Sequence, residues 1–339
     1  MKTSRLLKVG ALLAAAGACF AITSNMELRR IAIPLPAASA AVSREPAVDG
    51  ARLLADVRTL SSPEYGGRRT GSDGSRKAQA FLQERFGALG LQRFGAAYAT
   101  PFAFTHTSIK GLVMPGRPYK TDYPSAVNYI GYIAGSATPE RFIVVSAHYD
   151  HLGEKAGKLY PGADDNASGV AAMLAIAAWF KAHPPRHSIV FAAFDGEELG
   201  LRGARAFLAA LPFPKEQLAL DLNLDMVSHN DDNEIFVAGT SYTPSLTPLV
   251  AQAAARNTVK VRLGHDRPML VAGSVEDWTS SSDHGPFHEA GIPFLYFGVE
   301  DHADYHAASD TFEHINPAFF ASVANLLVDV AATVDANLQ

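Results

Sequence analysis

Ile189 to Ala204 read IVFAAFDGEELGLRGA. The first six residues are a short apolar run bounded by an acidic, glycine-containing turn, the pattern of a buried strand. That strand runs straight into Asp195, Glu197 and Glu198. Carboxylates crowded together repel one another, so such a turn makes physical sense only where positive charge is brought to it. Three other runs end the same way. Phe142 to Ala147 (FIVVSA) leads into His148-Tyr149-Asp150-His151, Leu218 to Leu224 (LALDLNL) into Asp225, and Pro293 to Phe297 (PFLYF) into Glu300-Asp301-His302 and Asp304-Tyr305-His306. The segments between or after them, Ala167–Lys181, Ser245–Arg256 and Pro317–Val334, have helical length and pattern, as does Lys77–Leu89 with Ala78, Phe81, Leu82, Phe86 and Leu89 on one face. Strands alternating with helices predict an α/β fold: a central, mostly parallel mixed sheet with helices on both faces. Ligands in such folds bind beyond the carboxyl ends of the strands.

A fifth acidic cluster, PGADDNASG (Pro161–Gly169), precedes the Ala167 helix. One polar cluster at a strand end marks only where buried backbone meets solvent. Five clusters of histidine and carboxylate at one sheet edge specify a cation site. Imidazole and carboxylate without thiolate suit Zn²⁺ or another borderline-to-hard divalent ion, and a carboxylate can bridge two such ions. Glu197 and Glu198 are adjacent, so their side chains diverge. One can ligate metal while the other serves a metal-held water as general base.

The chain has 339 residues, 48% of them hydrophobic, with a mean hydropathy of +0.03, enough apolar material for a large core. Residues 1–40 carry Lys2, Arg5, Lys8, Arg29 and Arg30 against Glu27 alone; without them the chain's 29 bases and 34 acids become 24 and 33. An acidic body argues against a nucleic-acid partner, whose phosphates need clustered Lys and Arg. The basic start followed by an apolar run, Val9 to Ile22, reads as an export signal or N-terminal anchor over residues 1–40. Ala38-Ser39-Ala40 has the small-x-small pattern of a cleavage site, while Ala16-Gly17-Ala18-Cys19 is a weak lipobox that would place a lipid on Cys19, the one cysteine. The expectation is a periplasmic or secreted protein that touches membrane only through this segment. A Pro/Ala-rich stretch, residues 34–50, supplies a linker at 41–50 to a single catalytic domain, 51–339. Residues 98–140 read as short β-like pieces broken by Gly and Pro.

At this point the chain resembles the M28 zinc peptidases, the co-catalytic di-zinc aminopeptidases whose relatives include glutaminyl cyclases. The resemblance rests on AHYDH (Ala147–His151), PGADDNASG, FDGEELGLRGA, LNLDMV (Leu222–Val227), SSDHGPFHEAGIP (Ser281–Pro293) and DYHAASDT (Asp304–Thr311), in that order. GGRRTGSDGSRKAQAFLQERFGALGL (Gly66–Leu91) is similar to that family's helical entry, so the likeness extends over nearly all of residues 50–335. It implies the zinc-dependent exopeptidase fold and two zinc ions per chain. His148 and Asp225 would hold one, Glu198 and His306 the other, with Asp165 bridging and a cis peptide following it. Glu197 would be the general base, Asp150 would fix the far nitrogen of His148, and Tyr305 would polarise the scissile carbonyl. The implied reaction is hydrolysis of N-terminal residues from peptides with a free N-terminus; separately, the chain is expected to be a monomer.

Other residues read as structural. Asp164 is a loop carboxylate, Asp195 bonds backbone at its strand end, and Asp283 and His284 shape the pocket. His302 is a decoy for His306; the Asn166 sequon is coincidental; His151, His229 and His288 are surface or core histidines. Loops 98–135 and 257–280 should build the specificity pocket, with Trp278, Phe102 and Phe104 as walls. Three rivals remain: a one-zinc glutaminyl-peptide cyclotransferase, a carboxypeptidase, and a binding module on the same fold, the last weakened by the intact ligand and base set.

Overall fold

The computed structural model describes residues 33–35, 47–108, 119–267 and 276–338. The apolar run, Cys19 and the Ala38–Ala40 cleavage pattern lie outside them. In chain order the elements are β1 (Ile33–Pro34), α1 (Gly50–Leu60), α2 (Asp73–Leu89), β2 (Ala99–Thr107), β3 (Lys120–Ile133), β4 (Thr138–His148), β5 (Gly153–Lys155), β6 (Lys158–Tyr160) and α3 (Gly169–Ala182). Then come β7 (His187–Phe194), α4 (Arg202–Ala209), β8 (Leu218–Leu224), β9 (Glu234–Ala238), α5 (Thr247–Ala254), β10 (Lys260–Leu263), α6 (His284–Glu289), β11 (Phe294–Gly298) and α7 (Pro317–Asn337).

Among the described residues, nine strands form one mixed sheet in the order β1-β10-β9-β11-β8-β4-β7-β3-β2. Its centre is the four runs legible in the sequence. β11, β8, β4 and β7 are mutually parallel, with Phe297 beside Leu224, Ser146 beside Asn223 and His148 beside Phe194. Every residue of β7, β8 and β11 is buried. Side-chain alternation divides the core between the two faces. Ile143, Val145 and Ala147 of β4 join one cluster with α3 and α7, while Phe142 and Val144 join Phe207 of α4 and Phe287 of α6 in the other. From β4 the chain crosses by α3 to β7 on one side, then by α4 to β8 on the other. That reversal opens a crevice at the carboxyl ends of β4 and β8.

Local signals set the element ends. Asp49 caps α1 by accepting from the Arg52 amide at 3.0 Å, and Asn316 caps α7, with Pro317 at its first position, by accepting from Phe319 at 3.1 Å. Gly90 closes α2 at a φ of 64°, where a side chain would be strained. Helix α7 is apolar and long enough to cross a membrane, but its residues are largely buried in this core.

Two segments differ from the sequence reading. The described residues within 98–140 are not short pieces: β2 and β3 pair antiparallel along most of their length and extend the sheet beyond β7. Pro101 sits on the edge strand β2, and Pro124 falls where the register shifts opposite Phe102 and Phe104, the two places a sheet tolerates proline. At the opposite edge, Ile33–Pro34 pairs antiparallel with β10 and the Leu35 amide donates to the Val261 carbonyl at 2.9 Å, inside the stretch read as leader and linker.

Candidate metal centre and active-site cleft

The carboxyl ends of β4, β7, β8 and β11 open into a cleft of about 500 Å³ lined by His148, Asp165, Glu197, Glu198, Asp225 and His306. His148 is the last residue of β4, and Asp225 follows β8 directly. Met226 after Asp225 and His306 both hold positive φ, 58° and 51°, a conformation that costs free energy in non-glycine residues and that packing must maintain. Asp165 lies in the irregular helical turn Ala163–Ser168, and the Asp165–Asn166 peptide is cis. Two amides of this turn, those of Asp164 and Asp165, donate to the Asp310 carboxylate at 2.8 and 3.1 Å.

The donor atoms meet around Asp165. His148 Nε2 is 3.2 Å from Asp225 Oδ1 and 3.4 Å from Asp165 Oδ1. On the other side, His306 Nε2 is 3.2 Å from Asp165 Oδ2 and 3.5 Å from Glu198 Oε2. Tetrahedral zinc with bonds of about 2.0–2.1 Å places its donors about 3.3 Å apart. The two carboxylate oxygens of Asp165 thus face two separate nitrogen–oxygen sets, and the residues fit a pair of divalent ions.

The electrostatics agree with that fit. Burial pushes the Glu197 carboxyl well above the ordinary carboxylate range; Asp283, Asp225 and Glu198 push it the same way and His148 opposes them. Burial also raises Glu198, but the imidazoles of His151 and His306 outweigh it and hold its carboxyl well below that range. Asp310 is pushed up to about 7, first by burial and then by Asp164.

Several residues take positions that the sequence did not predict. The Asp150 carboxylate is 3.8 Å from His148 Nδ1, which instead faces the Asp150 backbone carbonyl at 3.1 Å. The carboxylate is engaged elsewhere: Asp150 Oδ1 accepts from the Glu197 amide at 3.1 Å, so it anchors the turn carrying the acids. Phe102 and Phe104 do not line the cleft; they stack on one another, and Phe104 stacks on Tyr123 of the neighbouring strand β3. Trp278 does line it, with Tyr296 and Tyr305, and the Tyr305 ring stacks on His306 at 4.0 Å. His151 is no bystander: it is buried with Nδ1 2.8 Å from Glu198 Oε1 and 3.5 Å from Asp165 Oδ2.

Other readings match the geometry. Asp195 accepts from Thr70 Oγ1 at 2.8 Å and the Val127 amide at 3.1 Å. His302 reaches Asp164 at 2.9 Å and stacks on His229, away from the cleft. His229, His302 and Asp304 also bring donor atoms together, but this half-buried group shares no member with the Asp165 cluster. Asp164 is more than a loop carboxylate, being fully buried and accepting from the Ser228 amide and hydroxyl at 2.7 and 2.8 Å.

Arg68 had no signal beyond lying in GGRRTG. Fully buried, it donates to the carbonyls of Tyr149 (2.9 Å), Leu60 (2.7 Å), Pro161 (2.6 Å) and Gly162 (2.8 Å). It ties the segment after His148 to the segment before Asp165.

Residues 128–331 match the model of peptidase family M28. The chain belongs to peptidase family M28. Among its M28 relatives, the aminopeptidase YwaD of Bacillus subtilis is 33% identical over 183 residues, 51% of this chain and 37% of that protein. The chain spans half or less of the length of the curated relatives it matches first. In fold it is similar to a zinc aminopeptidase from Bacillus subtilis, with a TM-score of 0.64 at 18% identity over 85% of this chain and 96% of that one. A glutaminyl cyclase of Bacteroides thetaiotaomicron superposes with a TM-score of 0.62 at 17% identity, covering 87% and 100%.

Proposed function

We propose that this chain is an exported two-zinc aminopeptidase. The observation that carries the reading is Asp165, whose two oxygens face His148 with Asp225 on one side and His306 with Glu198 on the other. Zinc held there supplies Lewis acidity toward a carbonyl and lowers the pKa of water. The protein's own groups divide the remaining work. Glu197 stands in the cleft wall, its carboxyl raised toward the range of a general base, and takes a proton that it returns to the leaving amine. Glu276 and Asp301 line the cleft outside the ion-holding set, and their carboxylates favour the cationic α-amine of a free peptide N-terminus over a C-terminal carboxylate. Trp278, Tyr296, Leu201 and Val299 give the first side chain an apolar wall, and Tyr305 is placed to orient the scissile carbonyl. Export rests on the basic-then-apolar start of the sequence.

The test uses metal-free full-length protein titrated with Zn²⁺. Substrates are a panel of aminoacyl-p-nitroanilides, their N-acetyl counterparts and an N-terminal glutaminyl peptide. The reading expects hydrolysis of the free-amine substrates alone, saturating near two zinc ions per chain. Cyclisation without hydrolysis, saturating at one zinc, replaces it with the cyclase.

A further inference from the structure

We infer that His151 is a fourth protein ligand of the Glu198-side ion, which makes that site closed and leaves the His148-side site as the one with an open position. The inference rests on the two-ion reading above and assigns unequal roles within it.

The ring of His151 is fully enclosed, and neither of its nitrogens has a hydrogen-bond partner among the described residues. Glu198 Oε1, buried and 2.8 Å away, has none either. Two buried polar atoms this close, yet out of hydrogen-bonding alignment, are costly unless both are directed at a third body. Asp165 Oδ2, at 3.5 Å from His151 Nδ1, completes a three-residue donor group. His306 Nε2 approaches the same Asp165 oxygen from the cleft, with its ring centre 6.0 Å from that of His151. The donors on this side are then two imidazoles and two carboxylates.

The ring is held there by construction. A Cβ on Gly162 would fall 2.6 Å from His151 Cγ and Cδ2, and Gly162 has a φ of 64°, so only glycine leaves the ring this place. The Gly162 carbonyl is itself fixed by Arg68 at 2.8 Å. Each side has a convergent group of three donors, His148, Asp165 and Asp225 on one and His151, Asp165 and Glu198 on the other; His306, 3.2 Å from Asp165 Oδ2 and 3.5 Å from Glu198 Oε2, adds a fourth to the second. Four protein ligands are the mark of a structural zinc site, and three with an open position that of a catalytic one.

The experiment compares full-length wild type, His151→Ala and His151→Asn, each metal-free and then zinc-loaded. X-ray absorption at the zinc edge counts imidazoles, and chelator competition measures each dissociation constant. Wild type is expected to show about three imidazoles over two zinc ions, His148, His151 and His306, with His151 Nδ1 about 2.0–2.1 Å from its ion. Both variants should keep the tighter or weaker constant of the His148 side unchanged and lose more than 100-fold at the other, beyond the 10–100-fold typical of a residue acting through a ligand. Metal-free melting curves show whether either variant still folds, and one folded variant suffices. Two zinc ions with only two imidazoles in wild type would overturn the assignment while leaving the aminopeptidase reading intact. A single bound zinc, unaffected by either substitution, would overturn both.

Discussion

Glu197 and Glu198 are sequence neighbours with opposite electrostatic fates. The first is raised by burial and by Asp283, while the second is lowered by two imidazoles despite its burial. On the proposed reading, that separation would let one acid move protons and the other stay ionised beside a cation. Replacing Glu197 by Gln should lower kcat about 10²–10⁴-fold with little change in KM or in zinc stoichiometry, read from steady-state kinetics and metal analysis. A loss of zinc instead would make Glu197 a ligand. The roles open to these residues were legible because adjacent carboxylates after a buried strand have few structural uses. His151 was not legible: in the sequence it is one more histidine after Asp150, and Glu198, the partner that defines it, lies on a different strand end.

At the scale of elements, the four central strands could be read because both faces of a parallel sheet are covered, which forces continuous apolar runs. The β2–β3 hairpin could not, because its outer residues are exposed, its pattern is irregular and two prolines interrupt it. Arg68 illustrates a second limit, since a buried arginine that serves backbone carbonyls has no sequence pattern of its own. It joins the end of α1 to the segments beside His148 and Asp165. Arg68→Met should cost about 3 kcal/mol or more, because four buried carbonyls lose their donors, and urea unfolding measures it. Helix α6 carries a different sensitivity. Burial holds His284 neutral, its pKa lowered from the ordinary imidazole value of 6.5 to about 4, while a contact to the Trp278 carbonyl partly opposes that shift. The unfolded chain therefore takes up this proton first, and stability falls as pH drops from about 6.5 toward 4, by about 3 kcal/mol at the lower end. His284→Asn should flatten that part of the stability–pH curve. An unchanged slope would place the acid sensitivity elsewhere.

For the whole molecule, the sheet edge gathers more carboxylate than the protein's own cations offset, with Arg68 the buried cation beneath it. Divalent ions held there would relieve that repulsion and stabilise the folded chain by mass action, by about 4 kcal/mol at a thousandfold excess over Kd. Chelation should therefore lower Tm by several degrees, and Zn²⁺ should restore it, in a calorimetric scan. A chelated protein that melts where the loaded one does would separate the cluster from metal altogether. Peptides that carry a free N-terminus would meet this edge directly, since the cleft opens at the strand ends and not beneath a second domain among the described residues.

The most direct test of the account is anomalous diffraction at the zinc edge from crystals of the zinc-loaded chain. The account predicts two peaks about 3.5–4 Å apart, one on each side of the Asp165 carboxylate. A single peak, or a pair that Asp165 does not separate, would contradict it.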